Sequence, residues 1–260
     1  MENLDLARLV PLRSGVVGAR LRYVPRVTST MDEARRLAED GAHDGLVVVA
    51  EEQTLGRGRF GRGWVSNPGQ DLTFSVVLCP TADQLRLVNM AATMAVQETA
   101  VAATGRHAAI KWPNDVVMSG KKLSGILVES VTSRSSSLDF AVVGVGLNVN
   151  LRPEDHFEIR EIATSLAEQA GRALDRTEVL LQVLGRLDEL YSAVRRGLDL
   201  VETWTSRLET IGREIDVSWQ GRRVSGRACG VDAQGNLLIQ TDQGMTTVVA
   251  GEVTLSEPPA

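Results

Sequence analysis

The feature that most constrains this chain is the nine-residue segment Gly56-Arg57-Gly58-Arg59-Phe60-Gly61-Arg62-Gly63-Trp64. Its four glycines and three arginines make it a loop. Glycine lets the backbone take positive φ and lie close to a ligand. Arginine supplies a permanent charge and a planar fork of donors that fits carboxylate and phosphate oxygens. The formal net charge of the chain is −5, so a local concentration of cations most simply holds a small anion. Trp64 adds a flat face on which a base could stack. Two apolar runs bracket the loop. Residues 46–50 are β-branched and read as a buried strand, and residues 72–79 alternate Leu72, Phe74, Val76 and Leu78 on one face, as a second strand does.

The chain has 260 residues, enough for one sizeable core or a large domain with a small one. At 43% hydrophobic and 23% charged, its composition is that of an ordinary soluble globular protein. The acidic balance argues against broad nucleic-acid binding. No apolar run approaches the ~18 residues of a membrane span, and the amino terminus carries no signal-peptide pattern. Cys79 and Cys229 lie far apart and are expected to be packed, reduced thiols, which fits a cytoplasmic protein. His43, His107 and His156 are scattered without metal-ligand spacing, so no metal site is expected.

Further along, Ser29…Asp32 and Thr30…Glu33 both have capping-box spacing and open a helix that runs to Gly41. Residues 84–103 read as a long helix and 108–112 as a short strand stopped by Pro113. Residues 116–118 and 123–129 read as a hairpin, 132–137 as a turn and 138–150 as a strand region. Helices are expected over 164–170, 177–196 and 199–208. After Thr210 the helical period disappears, and residues 211–255 read as a small all-β module of short strands. Residues 257–260 form a loose tail.

Gly56-x-Gly58-x-x-Gly61 matches a dinucleotide-binding fingerprint and follows a strand. That fingerprint needs a helix opening at its third glycine, whereas loop and turn residues follow here. Asp83 has the offset of the ribose-binding carboxylate, but it sits just past Pro80. A kinase reading fails because neither His-Arg-Asp nor Asp-Phe-Gly occurs. Arginine–glycine segments that bind nucleic acid are long and repetitive, and this is a single copy. There remain a solvated basic hairpin and a loop that closes over an anionic, nucleotide-like intermediate.

The motifs downstream favour the second. Lys111-Trp112-Pro113-Asn114-Asp115 ends a strand and turns sharply, placing a lysine, an amide and a carboxylate at the strand end. Lys122-Leu123-Ser124-Gly125-Ile126-Leu127-Val128-Glu129 joins a lysine to a glycine that permits close approach. Gly144-Val145-Gly146-Leu147-Asn148 sets a polar side chain on an apolar strand, where it needs partners.

This ordered set, with Ser29-Thr30 and the glycine–arginine loop, resembles the biotin protein ligases. Gly212, Gly235 and Gly251-Glu252-Val253 resemble that family's small SH3-like C-terminal domain. The likeness covers nearly the whole chain. It implies an α/β core with a mixed, largely antiparallel sheet and flanking helices, similar to the class II aminoacyl-tRNA synthetase catalytic core. The expected division is a catalytic domain over 1–210 and an SH3-like β-barrel over 211–260.

The resemblance also implies an enzyme that makes biotinyl-5′-AMP from biotin and ATP, with Mg²⁺ on the phosphates. It then transfers biotin to a lysine of a biotin carboxyl carrier domain, as of acetyl-CoA carboxylase or a related carboxylase. The catalytic group by resemblance is Arg59, Lys111, Lys122 and Asp115, with Asp115 orienting the incoming amine or taking its proton. Biotin would be held by Ser29, Thr30, Gln53, Gly56, Arg57, Arg59, Lys122 and Gly125. The adenylate would be held by Arg59, Arg62, Trp64, Asn114, Lys122 and Asn148. Neither nucleic acid nor membrane is an expected partner, and a homodimer through sheet edges is compatible with the likeness.

Two positions depart from the family pattern. Phe60 stands where a second arginine is frequent, and Met31 where asparagine is frequent. The 28 residues before Ser29 are too few for the winged-helix domain of the bifunctional, repressor-type members, so a monofunctional enzyme is expected. The alternatives are a lipoate ligase or octanoyl transferase on the same core, a biotin or biotinyl-AMP sensor without catalysis, and an RNA-binding protein.

Overall fold

Seven strands form the main sheet: β1 (Arg20–Val27), β2 (Leu46–Gln53), β3 (Leu72–Leu78), β4 (Ala109–Lys111), β5 (Asp115–Met118), β6 (Lys121–Thr132) and β7 (Leu138–Leu147). Their spatial order is β1-β2-β3-β7-β6-β5-β4. Only β1 and β2 are parallel, and the helix α1 (Thr30–Glu39) makes the crossover that such a pair requires. The structure is a computed structural model that describes residues 4–9, 15–41, 44–65, 67–132, 138–219 and 221–255. Within it the expected mixed, largely antiparallel sheet is present.

The central strands divide their side chains between two apolar layers, as the two-residue period dictates. Val47, Val49, Phe74, Val76, Val143 and Val145 face the long helices α2 (Ala82–Thr104) and α4 (Arg176–Arg195). Leu46, Val48, Val77 and Val142 face Met31 and Ala34 of α1. With both faces covered, β3 is buried at every residue, the polar Thr73 and Ser75 included. Local chemistry sets the helix ends. Ser29 caps α1 by accepting from the Met31 N–H, Thr81 and Gln84 form a capping box on α2, and Asp175 caps α4.

Two features differ from the sequence expectation. Strand β1 has no expected counterpart: Arg20-Leu21-Arg22-Tyr23 alternates over only four residues before Pro25, a poor strand residue, and Arg26 interrupt it. It forms at the sheet edge, where such residues are tolerated. Cys79 and Cys229 are exposed, not packed. Cys79 lies one residue past the last buried position of β3, and Cys229 faces out beside the inward Ala228. Elsewhere β6 runs longer than expected and β7 ends at Leu147, before Asn150. His43, most of the 132–137 turn and the 257–260 tail lie outside the described residues. Among the described residues no helix is long and apolar enough to cross a membrane.

After α3 (Leu166–Ala170), α4 and α5 (Val201–Thr205), a second sheet follows. It is built from β8 (Glu214–Trp219), β9 (Arg222–Val231), β10 (Leu237–Thr241), β11 (Gly244–Val248) and β12 (Glu252–Leu255). It is antiparallel in the order β11-β10-β9-β8-β12. Its inward residues Ile215, Val217, Ala228, Leu237 and Ile239 join the main core. Buried Trp112, just after β4, fastens the two sheets. Its backbone N–H donates to Thr210 Oγ1 at 3.0 Å and its Nε1 donates to the Gly235 carbonyl at 2.9 Å. The peptide bond from Trp112 to Pro113 is cis.

Beneath the segment that enters β3, the Asp71 carboxylate accepts from the backbone N–H groups of Asn67 and Val149, each at 3.1 Å. Burial pushes its pKa up from 3.8 to about 6 despite these donors and Arg176. Between those values the folded chain keeps a proton that the unfolded chain releases. The contribution of Asp71 to stability therefore falls as pH rises through about 6. Urea unfolding of the parent and of Asp71→Asn at pH 5 and pH 7.5 checks this: the parent should lose stability relative to the variant at the higher pH. A constant difference would contradict it.

Candidate active site

The glycine–arginine loop closes as a small hairpin between β2 and β3. Arg57 and Gly63 form an antiparallel bridge, the Gly58 N–H donates to the Arg62 carbonyl at 2.7 Å, and the Trp64 N–H donates to the Gly56 carbonyl at 3.0 Å. A single 3-10 turn spans Arg59–Gly61, with Phe60 in the left-handed region at φ 57°. Phe60 is exposed at the tip, and the Arg59 guanidinium lies 4.8 Å from its ring centre. Glycine is needed at 56 because a Cβ there would lie 2.9 Å from the Trp64 carbonyl oxygen.

This hairpin covers a cleft of about 770 Å³. At one end buried Thr30 donates through its N–H and its hydroxyl to Gln53 Oε1, at 2.8 and 3.0 Å, and Ser75 Oγ lies 2.8 Å behind it. Ser29 stands beside Thr30 at the N-terminus of α1. The floor is made by β6 and β7. A Cβ on Gly146 would come within 2.2 Å of Trp64 Cε2, one on Gly125 within 3.1 Å of Trp64 Cζ3, and one on Gly144 within 2.6 Å of Met31 Sδ. Glycine on these strands thus lets the Trp64 indole and the Met31 thioether lie directly on the sheet. The buried Trp64 Nε1 has no hydrogen-bond partner among the described residues.

The opposite wall is the tight connection from β4 to β5. Lys111 and Asp115 face each other across it, and Asn114 donates from Nδ2 to the Ile126 carbonyl at 2.7 Å. Lys122 Nζ lies 2.8 Å from Asp115 Oδ2 and 5.7 Å from the centre of the Trp64 ring. The cleft therefore gathers Arg57, Arg59, Arg62, Lys111 and Lys122.

Three of these cations are ion-paired: Arg57 with Asp32 at 2.7 Å, Arg62 with Glu252, and Lys122 with Asp115. Among the described residues neither Arg59 nor Lys111 makes an ion pair within 4.0 Å. Arg59 donates instead to Asn114 Oδ1 at 2.9 Å and to the Gly251 carbonyl at 3.4 Å. Burial lowers its pKa, opposed by the charges of Asp115 and Glu252. The Glu209 carboxyl, half-buried near Lys111, is pushed up by burial. A cleft with surplus cationic donors, a flat aromatic wall and a neutral hydrogen-bonding end fits a ligand with a phosphate, a base and an uncharged polar head.

Most residues expected from sequence meet here: Ser29, Thr30, Gln53, Arg57, Arg59, Arg62, Trp64, Lys111, Asn114, Asp115, Lys122 and Gly125 all line the cleft. Gly56 lies under Trp64 and not on the wall. Asn148 does not line the cleft either. It is buried, and its Nδ2 donates to the Thr164 carbonyl at 2.9 Å, fastening the end of β7 to the following segment. Sequence reasoning missed Ser75, Glu209, Glu161 and Ile162, which carry no local signal. Gly251 and Glu252 fell in a stretch read only as part of the C-terminal module, yet they anchor the lid. Among the described residues no group of three His, Cys, Asp or Glu gathers as a metal site would.

A profile of the Biotin/lipoate A/B protein ligase family matches residues 23–148, and one of the Biotin protein ligase C terminal domain matches 210–256. The chain is 34% identical to a biotin--[acetyl-CoA-carboxylase] ligase of Mycobacterium tuberculosis, over 93% of this chain and 93% of that protein. It is 32% identical to the bifunctional ligase/repressor BirA of Bacillus subtilis, over 94% of this chain and 76% of that one. Among solved structures, the biotin protein ligase from Aquifex aeolicus in complex with biotin and ATP superposes with a TM-score of 0.78. That match is at 33% identity and covers 92% of this chain and 99% of that one.

The contact between Trp64 and Gly146 carries a direct expectation. Gly146→Ala places a methyl group inside the indole's present position, so the ring must lift at a stability cost of about 1–3 kcal/mol. Tryptophan emission should move to longer wavelength, and the same change in a Trp64→Phe background should leave emission unaltered. An unshifted spectrum would mean that the indole does not rest there in solution.

Proposed function

The chain belongs to the biotin protein ligase family, and on that footing we propose that the cleft activates biotin with ATP and hands it to a protein lysine. The activity is ATP-dependent biotin ligation in two steps. A biotin carboxylate oxygen attacks the α-phosphorus of ATP, giving biotinyl-5′-AMP and pyrophosphate. A lysine amine of a biotin carboxyl carrier domain then attacks the biotinyl carbonyl carbon, and AMP leaves. The observation that carries this reading is the convergence of five cationic side chains on one cleft in an acidic protein.

The first step brings two anions together, and fixed cations offset their repulsion and the charge that develops on phosphorus. We assign Arg59 and Lys111 to that charge, because neither is committed to a carboxylate. Lys122, paired with Asp115, takes the carboxyl and phosphate oxygens. The ureido head of biotin is neutral and needs matched donors and acceptors. Ser29, Thr30 and Gln53 offer them at the cleft end, with Gly125 allowing close approach. Arg57 and Arg62 close the hairpin over the ligand. Trp64 covers the adenine, and Asn114 adds a polar contact.

Asp115 orients the incoming amine or accepts its proton. Mg²⁺ enters with the triphosphate and needs few protein ligands, because phosphate oxygens and water fill most of its octahedral positions. Residues 1–210 act as the catalytic domain and 211–260 as an SH3-like C-terminal domain. The reading includes a cytoplasmic location, no nucleic-acid partner and a homodimer through a sheet edge. The net charge and two exposed free thiols support the first two.

The intermediate is an activated anhydride that water can hydrolyse, so a lid that excludes water is part of catalysis. The test mixes the chain with ATP, Mg²⁺, biotin and a carrier domain and reads the acceptor's intact mass, with lipoate as competitor. One added biotin, unaffected by lipoate, is the expected result, and no mass gain overturns the reading. Arg59→Gly should lose adenylate to solution, with retention in filter binding down roughly tenfold or more, a loss of about 1.4 kcal/mol. Retention equal to the parent would remove Arg59 from its assigned role.

A further inference from the structure

An acceptor lysine, with a pKa of about 10.4, arrives at the cleft as an ammonium and must shed a proton before it attacks. The cleft it enters gathers cations that repel it: Arg57, Arg59, Arg62, Lys111 and Lys122. A carboxylate is the group that draws an ammonium in and takes its proton. Among the described residues the carboxylates lining the cleft are Asp115, Glu161, Glu209 and Glu252. Three of them already hold a cation. Asp115 Oδ2 lies 2.8 Å from Lys122 Nζ, Glu161 Oε1 lies 3.4 Å from Arg160 Nε, and Glu252 pairs with Arg62. Among the described residues Glu209 makes no ion pair within 4.0 Å, and the mechanism above gives it no task.

Resting on the ligase reading above, we propose that Glu209 is the base of the second step: its carboxylate meets the acceptor ammonium in the cleft and takes its proton, while Asp115 stays with Lys122. The backbone fixes where Glu209 stands. Leu208 forms a parallel bridge with Ile110 of β4. The Ile110 N–H donates to the Arg207 carbonyl at 2.9 Å, and the Glu209 N–H donates to the Ile110 carbonyl at 3.0 Å. The next residue, buried Thr210, takes the Trp112 N–H on its Oγ1 at 3.0 Å. Residues 207–210 are thus stitched to β4 at three successive points.

That stitching places the Glu209 carboxyl on the wall where the transfer takes place. Its neighbour Lys111 faces Asp115 in the β4–β5 register, and Asp115 touches Lys122, the lysine assigned to the biotin carboxyl oxygens. The side chain is half-buried. Burial pushes its pKa up, against the opposing charges of Lys111 at the end of β4, Arg213 ahead of β8 and His107 ahead of β4. A carboxylate raised in this way is a stronger base than an ordinary surface glutamate.

In the step itself, the acceptor ammonium gives one proton to the Glu209 carboxylate. The nitrogen lone pair so freed forms the amide bond to the biotinyl carbonyl carbon. The bond from that carbon to the phosphate oxygen breaks, and AMP leaves with the electron pair. The second amine proton passes to water, and Glu209 then releases its own proton to solvent. No further reactant is needed.

The test compares the full parent chain with Glu209→Gln and Glu209→Asp in three arms. Biotin-dependent exchange of labelled pyrophosphate into ATP reports the first step alone. Biotinyl-5′-AMP supplied ready-made, in single turnover with a carrier domain, reports the second step across pH through the carrier's intact mass. Hydroxylamine in place of the carrier reports attack by an amine that is already neutral near neutral pH and needs no base. Glu209→Gln should slow transfer to the carrier on the order of 100-fold, with exchange and hydroxamate formation within about twofold of the parent. The parent's transfer rate should fall as pH drops through the pKa of Glu209, above the ordinary glutamate range. That inflection should vanish in Glu209→Gln and persist, at a reduced rate, in Glu209→Asp. Carrier transfer in Glu209→Gln that matches the parent overturns the proposal. So does hydroxamate formation or pyrophosphate exchange that falls as far as carrier transfer, since a base for the acceptor amine serves neither. A parent chain without exchange faults the ligase reading of the first step, and the supplied adenylate then still decides the role of Glu209. A parent that transfers nothing from that adenylate overturns both.

Discussion

The structure depends on the close approach of flat and flexible side chains to a glycine floor on β6 and β7. Gly125 and Gly146 let the Trp64 indole lie against the sheet, and Gly144 does the same for Met31. Any side chain at 146 would occupy the indole's position. That contact draws a loop starting at the end of β2 over two strands distant in sequence. It sets how far the lid arginines stand from Lys111 and Lys122. Without it the cationic residues would be a solvated basic hairpin and a pair of ordinary strand-end lysines.

The lid is also held from its far side. Arg62 pairs with Glu252, and Arg59 reaches the Gly251 carbonyl, both in or next to β12 of the second sheet. Trp112, between β4 and β5, donates to the Gly235 carbonyl of the same sheet. The small C-terminal sheet thus touches the lid and the lysine-bearing turn. Exposed pairs such as Arg62 with Glu252 contribute little to stability. This pair sets the Arg62 guanidinium at the mouth of the cleft.

Much of this was legible from sequence, for identifiable reasons. The buried strands β2 and β3 announced themselves through the apolar run at 46–50 and the alternation of Leu72, Phe74, Val76 and Leu78. The C-terminal sheet was marked by turn residues at 232–236 and 242–244. The lid, the Lys111–Asp115 turn and Lys122 were found because each carries unusual residue types at close spacing. Strand β1 was not legible, since its pairing is parallel and at an edge, and arginine and proline there mask the pattern. Asn148 was misplaced because a polar residue on an apolar strand signals a partner without saying which one. That partner is the Thr164 carbonyl. Glu209 and Glu252 reach the cleft, and Ser75 backs Thr30 from behind its wall, through tertiary pairing that no local pattern encodes.

The central claim is that lid, floor and lysine-bearing turns enclose one acyl-adenylate. The most direct measurement is a crystal structure of the chain with biotin and a non-hydrolysable ATP analogue. The account predicts biotin's ureido head at Thr30 and Gln53, and the α-phosphate between Arg59 and Lys122. It also predicts the Trp64 indole turned onto the base. Ligand bound away from that cleft, or the lid arginines facing solvent with both ligands in place, would contradict it.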